Sequence, residues 1–278
     1  MSHSRRISTA LAVLAAVVLL GACSPRAERE TREPVTLRVS GSGTVVPLAR
    51  ILADAYGEPG VEFEFLPGWH SSGGIKGVAA GDLDIGLVSR ELTPEERALG
   101  LDYTLLCTDG LVVAVHPSVG IEALTSEQIR GIYAGRYSNW AELGGPDLPI
   151  IVLDRNEDES AKIVFRRFVL GPSLEVTDSA TVLAYEPDLI EALTSTPGAI
   201  GYFSLGTAVS QRTKARVLVV DGVMPSVESV RSGTYRIVRP LGFVTRRDCG
   251  DAVKRFARWA ASSEAKDLMD RNGYAAVR

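Results

Sequence analysis

Residues Trp69 to Glu91 read Trp-His-Ser-Ser-Gly-Gly-Ile-Lys-Gly-Val-Ala-Ala-Gly-Asp-Leu-Asp-Ile-Gly-Leu-Val-Ser-Arg-Glu. Two hydroxyls and two glycines, Ser71, Ser72, Gly73 and Gly74, stand before apolar residues at helical spacing, Ile75, Val78 and Ala79. Serine is a favoured N-cap, and glycine leaves backbone N–H groups open to a ligand. A helix start of this kind presents free donors and a partial positive charge, so it suits an anion. Gly81 and Asp82 punctuate the chain, and Ile85 to Val88 read as a short buried strand. That strand ends at Ser89-Arg90, a hydroxyl and a guanidinium at its carboxyl edge, where open α/β sheets bind ligands. A capped turn followed by a solvated arginine is the plainer alternative for the same residues.

The alternation continues outward from this unit. Val35 to Ser40 predicts a strand, Pro47 to Tyr56 a helix with proline in its first turn, and Val61 to Leu66 a second strand. Thr93 to Gly100 predicts a short helix, and Leu101 to Cys107 and Leu111 to His116 two further strands. Strands alternating with helices imply βαβ units and a largely parallel sheet. Beyond residue 124, Thr125 and Gln128 have capping-box spacing before Ile129, Ile132 and Tyr133. Strands are expected at 149–153, 199–203, 217–220 and 242–245, and helices at 163–170, 187–193, 251–261 and 264–272, with a polar loop from Arg155 to Lys162.

The chain has 278 residues, 45% hydrophobic and 23% charged, enough for one to two globular domains. Arg5 and Arg6 precede the apolar run Ala10 to Leu20, which is too short for a comfortable membrane span. Small residues follow, so residues 1–22 are expected to be a secretory signal. Leu20-Gly21-Ala22-Cys23 looks like a bacterial lipobox with Cys23 as the lipidated residue, and residues 23–34 then form a tether. This places the protein outside the cytoplasm, anchored to the membrane by lipid. The whole chain has 30 basic and 34 acidic residues, so losing Arg5 and Arg6 leaves 28 against 34, a net charge of −6. That balance argues against a nucleic-acid surface but leaves room for a local cationic pocket. Apart from Cys23, Cys107 and Cys249 remain, and an oxidising exterior permits a disulfide between them. Two buried thiols are the alternative.

Enzymatic signatures are missing from the sequence. His70 and His116, the only histidines beyond residue 22, have no metal-ligand spacing, and no cofactor is implied. There is no Gly-x-Ser-x-Gly elbow, no His-Glu-x-x-His and no Walker loop. His70 beside Ser71 makes a poor nucleophile pair, because adjacent side chains diverge. Trp69 and Trp140 are expected in the core or cleft wall.

Four stretches together resemble the phosphate-type periplasmic solute-binding proteins of ABC importers. The clearest is Leu124-Thr125-Ser126-Glu127-Gln128-Ile129, then Ile132-Tyr133-Ala134-Gly135, then Asn139-Trp140-Ala141-Glu142-Leu143-Gly144-Gly145. Gly41-Ser42-Gly43-Thr44-Val45-Val46-Pro47-Leu48 is similar to the family's first ligand loop. Ser71 to Lys76, with Asp84-Ile85-Gly86 and Ser89-Arg90-Glu91, is similar to its second and third. Arg239-Pro240-Leu241, with Trp259 and Gly273-Tyr274, matches its C-terminal pattern.

The resemblance implies a two-lobed α/β fold with a cleft between mainly parallel sheets. Residues 35–110 with 206–278 would form one lobe and 111–205 the other, hinged near 110 and 205. It implies a small anionic solute, phosphate above all, held by Ser42, Gly43, Thr44, Val45, Ser71, Ser72, Gly73, Ser89, Arg90, Arg155 and Ser160. The partners would be an ABC permease and ATPase, with the binding protein a monomer. The fourth loop departs from the family's Arg-x-x-Gly-Ser-Gly-Thr pattern, since Glu157, Asp158 and Glu159 stand between Arg155 and Ser160. Three acids would repel phosphate unless they face outward, and Lys76 and Lys162 are further cations that would offset them. A different, zwitterionic ligand, or a surface sensor, is the alternative these acids raise.

Overall fold

The computed structural model describes residues 34–68 and 70–278. The expected signal 1–22, the lipid site Cys23, the tether up to Glu33 and Trp69 lie outside the described residues.

Alternation of apolar and polar residues builds the first half. It comprises β1 (Val35–Gly41), α1 (Val46–Tyr56), β2 (Val61–Phe65), α2 (His70–Ala80), β3 (Ile85–Val88) and α3 (Pro94–Ala98). β1 pairs in parallel with β2 and with β3. The chain then enters β4 (Leu101–Val115), a single strand of 15 residues where the sequence predicts two. Beyond it come β5 (Ala123–Leu124), α4 (Ser126–Tyr133), β6 (Ile151–Arg155), α5 (Ser160–Phe165), β7 (Thr181–Leu183), α6 (Glu186–Ser195), β8 (Ala199–Ser204) and α7 (Leu205–Ser210). Short strands β9 (Arg216–Val217) and β10 (Val219–Val220) and helix α8 (Val227–Arg231) lead to β11 (Val238–Arg246). Helices α9 (Asp251–Ala260) and α10 (Ser263–Arg271) and strand β12 (Ala275–Ala276) close the chain. The expected capping box at Thr125 and Gln128 starts α4.

The main sheet runs β2-β1-β3-β11-β4-β8-β6-β7, with β12 and β9 also paired to β4. The parallel pairing expected from βαβ units holds at its two ends, β2-β1-β3 and β8-β6-β7. Between them β11 and β4 run antiparallel to their neighbours. β4 is the shared element, pairing with β11 over residues 101–110 and with β8 over 111–115.

Two large hydrophobic clusters flank that change of partner. One contains Leu37, Leu48, Leu87, Cys107, Phe243, Phe256 and Tyr274. The other contains Leu111 to Val115, Ile129, Tyr133, Trp140, Phe165 and Tyr202. Ala215, Leu218, Val230, Tyr235 and Ile237 pack into the second cluster, although the sequence groups residues 206–278 with the first. Trp140 is fully buried, and its indole N–H donates to the Gly198 carbonyl at 2.9 Å, so it is a core residue.

The expected Cys107–Cys249 disulfide does not form. Both are free, buried thiols packed in the first cluster as small apolar side chains. Burial pushes the Cys107 thiol well above its usual range, which keeps it inert.

Glycine in the central αβ unit serves contact rather than ligand access. A Cβ on Gly74 would lie 2.9 Å from Gly41 Cα, and one on Gly86 would lie 2.5 Å from the Gly74 carbonyl oxygen. Gly41, at φ +135°, has Leu87 backbone within 2.4 Å of the same imaginary atom. Helix α2 therefore rests on β1 and β3 backbone to backbone, which brings Ser71 to the sheet edge. Gly86→Ala is predicted to lower unfolding stability by about 1–3 kcal/mol, because the obstruction is backbone and overpacking is not relieved by rotamer change. Urea denaturation checks this, and an unchanged midpoint would contradict the close packing.

Candidate functional site

Three segments deliver hydroxyls to the carboxyl edge of β1 and β3. Ser42 follows β1, Ser71 lies in the first turn of α2, and Ser89 follows β3; each is buried. The Ser42 hydroxyl donates to Ser89 Oγ at 2.8 Å, and the Ser89 backbone N–H donates to Ser71 Oγ at 3.1 Å. His70, at the start of α2, has φ +54°, a left-handed backbone conformation costly for a non-glycine residue. Arg90 turns aside: both terminal nitrogens donate to the Glu96 carboxylate at 2.7 Å, and Nη2 also donates to Ser72 Oγ at 2.8 Å. The Arg90 guanidinium holds the Glu96 carboxyl below its usual range. This charge is already neutralised.

The opposing wall is the segment between β6 and α5. Its acids are sorted by partner. Glu157 points to Arg166, at 2.5 and 2.6 Å, and Arg166 lowers its pKa. Lys162 is fully buried rather than solvated, pairing with Asp154 and, at 3.4 Å, with Glu157. Glu159 faces the cleft, 3.2 Å from Arg155 Nη2 and 3.7 Å from His70 Nδ1. Arg155 is 5% exposed, gives a further hydrogen bond to the Ala184 carbonyl at 3.0 Å, and stands behind Glu159. Glu157 and Glu159 thus have cationic partners within their own half, and Asp158 also lines the cleft.

A buried cation completes the site. Arg239 on β11 and Asp109 on β4 are direct cross-strand partners, 1% and 0% exposed. Arg239 Nε and Nη2 both donate to Asp109 Oδ2 at 3.1 Å. The other oxygen of Asp109 accepts from the Ser204 hydroxyl at 2.8 Å and the Gly206 N–H at 3.3 Å. Burial raises the Asp109 pKa, and the Arg239 charge and Ser204 hydrogen bond oppose that rise. The remaining nitrogen, Nη1, reaches Ser160 Oγ at 3.4 Å, and Ser160 donates to the Ser89 carbonyl at 3.4 Å. Arg239 therefore stands where hydroxyls from both walls meet.

These groups enclose a cleft of about 390 Å³. Of the residues expected from sequence, Ser42, Gly43, Ser71, Ser72, Ser89, Arg90 and Ser160 line it. Thr44, Val45, Gly73 and Arg155 do not; Val45 is fully buried in the first cluster. Arg239, Glu159 and His70 line it without having been assigned to it from sequence. The signal for Arg239 was an arginine inside an otherwise apolar strand, together with an aspartate in another. Among the described residues, no group of His, Cys, Asp or Glu side chains could hold a metal ion.

A mixed α/β sheet whose loops converge on a polar cleft, with one shared strand between two cores, defines the periplasmic-binding-protein-like class of solute-binding proteins. The chain belongs to the PBP superfamily, whose domain profile matches residues 27–264. Among curated proteins it is similar to the phosphate-binding protein PstS of Borreliella burgdorferi, 29% identical over 75% of this chain and 77% of that one. PstS of Bacillus subtilis is 26% identical over 91% of this chain and 85% of its own. A Clostridium perfringens structure, described as a phosphate ABC transporter substrate-binding protein with bound phosphate, superposes with TM-score 0.78 at 28% identity, covering 88% of this chain and 100% of that one.

Asp109→Ala leaves a buried guanidinium with only Glu186 nearby, at 3.9 Å. The variant is predicted to lose about 3–5 kcal/mol of unfolding stability in denaturant titration. A loss below about 1 kcal/mol would show that the pair does not anchor the strand crossing.

Proposed function

We propose that this chain captures phosphate, or a closely similar oxyanion, in the cleft and delivers it to an ABC importer. The observation that carries the reading is the meeting of Ser42, Ser71, Ser89 and Ser160 with the buried Arg239. Neutral hydroxyls donate to an oxyanion without the desolvation cost of a second buried charge. The guanidinium supplies the charge-assisted contact. PstS proteins and a phosphate-bound solute-binding protein as relatives support the same ligand. The zwitterion reading loses its basis, because Glu157 and Glu159 already have cationic partners.

We further read the molecule as two lobes sharing β4 and β11, each built on one of the two main clusters, that close over the anion by hinge bending. Relatives of this kind work outside the cytoplasm, and no helix among the described residues is long and apolar enough to cross a membrane. Leu20-Gly21-Ala22-Cys23 supports attachment through lipid on Cys23, and the protein would act as a monomer.

Isothermal titration of the protein with inorganic phosphate tests the reading. Saturable binding is expected. Ser89→Ala is predicted to weaken it about tenfold or more, the cost of one hydrogen bond to a charged group. Arg239→Lys is predicted to weaken it further, because lysine cannot hold Asp109 with two nitrogens while reaching the cleft. Wild-type protein that does not bind phosphate would overturn the assignment.

A further inference from the structure

The cleft is larger and more apolar than the hydroxyl cluster requires. Beside the serines, Arg239, Arg167 and the carboxylates of Glu91, Asp158 and Glu159, it is lined by the apolar side chains of Ile163, Val164, Phe168, Val238 and Pro240. Ile163 is 54% exposed and Phe168 36%, unusual for large apolar side chains beside a polar site. Their placement follows from the backbone. Helix α5 gives way at Arg166 to a π-helical turn through Leu170, a feature that recurs at functional sites. Ile163 and Arg167, and Val164 and Phe168, are each four residues apart and share the cleft-facing side. Arg167 stacks its guanidinium over the Phe168 ring at 5.2 Å.

The space is not simply a gap between parted walls. Ser160 already lies 3.4 Å from the Ser89 carbonyl and from Arg239, and Glu159 lies 3.7 Å from His70. The two walls thus touch at the polar end, and the cleft still measures about 390 Å³. Cavities of roughly 300–1,000 Å³ ordinarily house organic molecules with a substantial apolar part.

We propose that the cleft also accepts an oxyanion carrying a small apolar substituent, a phosphonate or phosphate monoester. The phosphoryl oxygens take the serine hydroxyls and Arg239, and the substituent lies against Ile163, Phe168 and Pro240. The inference rests on the oxyanion assignment for the same site and extends it to a class of ligand.

Competition titration with phenylphosphonate and inorganic phosphate tests it. The wild-type protein is expected to bind both at one shared site. The double variant Ile163→Ser, Phe168→Ser is expected to raise the ratio of the phenylphosphonate to the phosphate dissociation constant about tenfold. Circular dichroism and a thermal midpoint establish that the variant is folded, and Pro240→Gly gives an independent alteration of the same wall. Phosphate binding without phenylphosphonate binding overturns the inference and leaves the oxyanion assignment standing, since lobe closure alone would then fill the apolar wall. An unchanged ratio in both variants also overturns it. Failure of both ligands to bind overturns both proposals.

Discussion

One ion pair, Arg239 with Asp109, sits where the molecule's two hydrophobic clusters meet. It links β11 to β4 at directly opposed positions, and Ser204 at the end of β8 and Gly206 in α7 bind the same carboxylate. Burying two charges is expensive, and an apolar pair of similar volume would often be at least as stable. The pair makes physical sense as a device that fixes a cation at the base of a cleft. Asp109 uses one oxygen to hold two guanidinium nitrogens and the other to bind Ser204 and Gly206. The third guanidinium nitrogen remains directed at Ser160.

Around this cation the protein places neutral donors and pairs several of its other charges with one another. Arg90 is committed to Glu96, Lys162 to Asp154, and Glu157 to Arg166. Glu159 faces the cleft between Arg155 and His70, and Glu91 and Asp158 also line it. Arg239 is thus the deeply buried cation at the cleft, while the serines supply direction. Close approach of α2 to β1 and β3, through Gly41, Gly74 and Gly86, positions two of those serines. Packing and recognition are linked here: the same glycines that allow backbone contact carry Ser71 towards Ser89.

Much of the local structure was legible because it depends on neighbours in sequence. Alternation marked β1 and β2, and the Thr125–Gln128 spacing marked the start of α4. What depended on distant partners was not legible. Asp109-Gly110 reads as a turn, so the chain between Leu101 and His116 looks like two strands. In the fold Asp109 is buried against Arg239, 130 positions away, and the strand runs through. Arg155 looked like a ligand group, and Lys162 like a free cation near the acids, because a linear reading cannot show which acids they meet. Cys107 and Cys249 share a compartment and a core yet remain thiols, since burial of a small apolar side chain suffices to account for each. The hydroxyl cluster was legible in Ser71, Ser72 and Ser89 because capping and strand-end positions impose their own pattern.

A crystal structure of the protein grown with phosphate tests the central claim most directly. The account predicts phosphate oxygens within about 3 Å of an Arg239 nitrogen and of the hydroxyls of Ser42, Ser71 or Ser89, with the Asp109 pair retained. Phosphate seated elsewhere, or seated in the cleft without contact to Arg239, would contradict it.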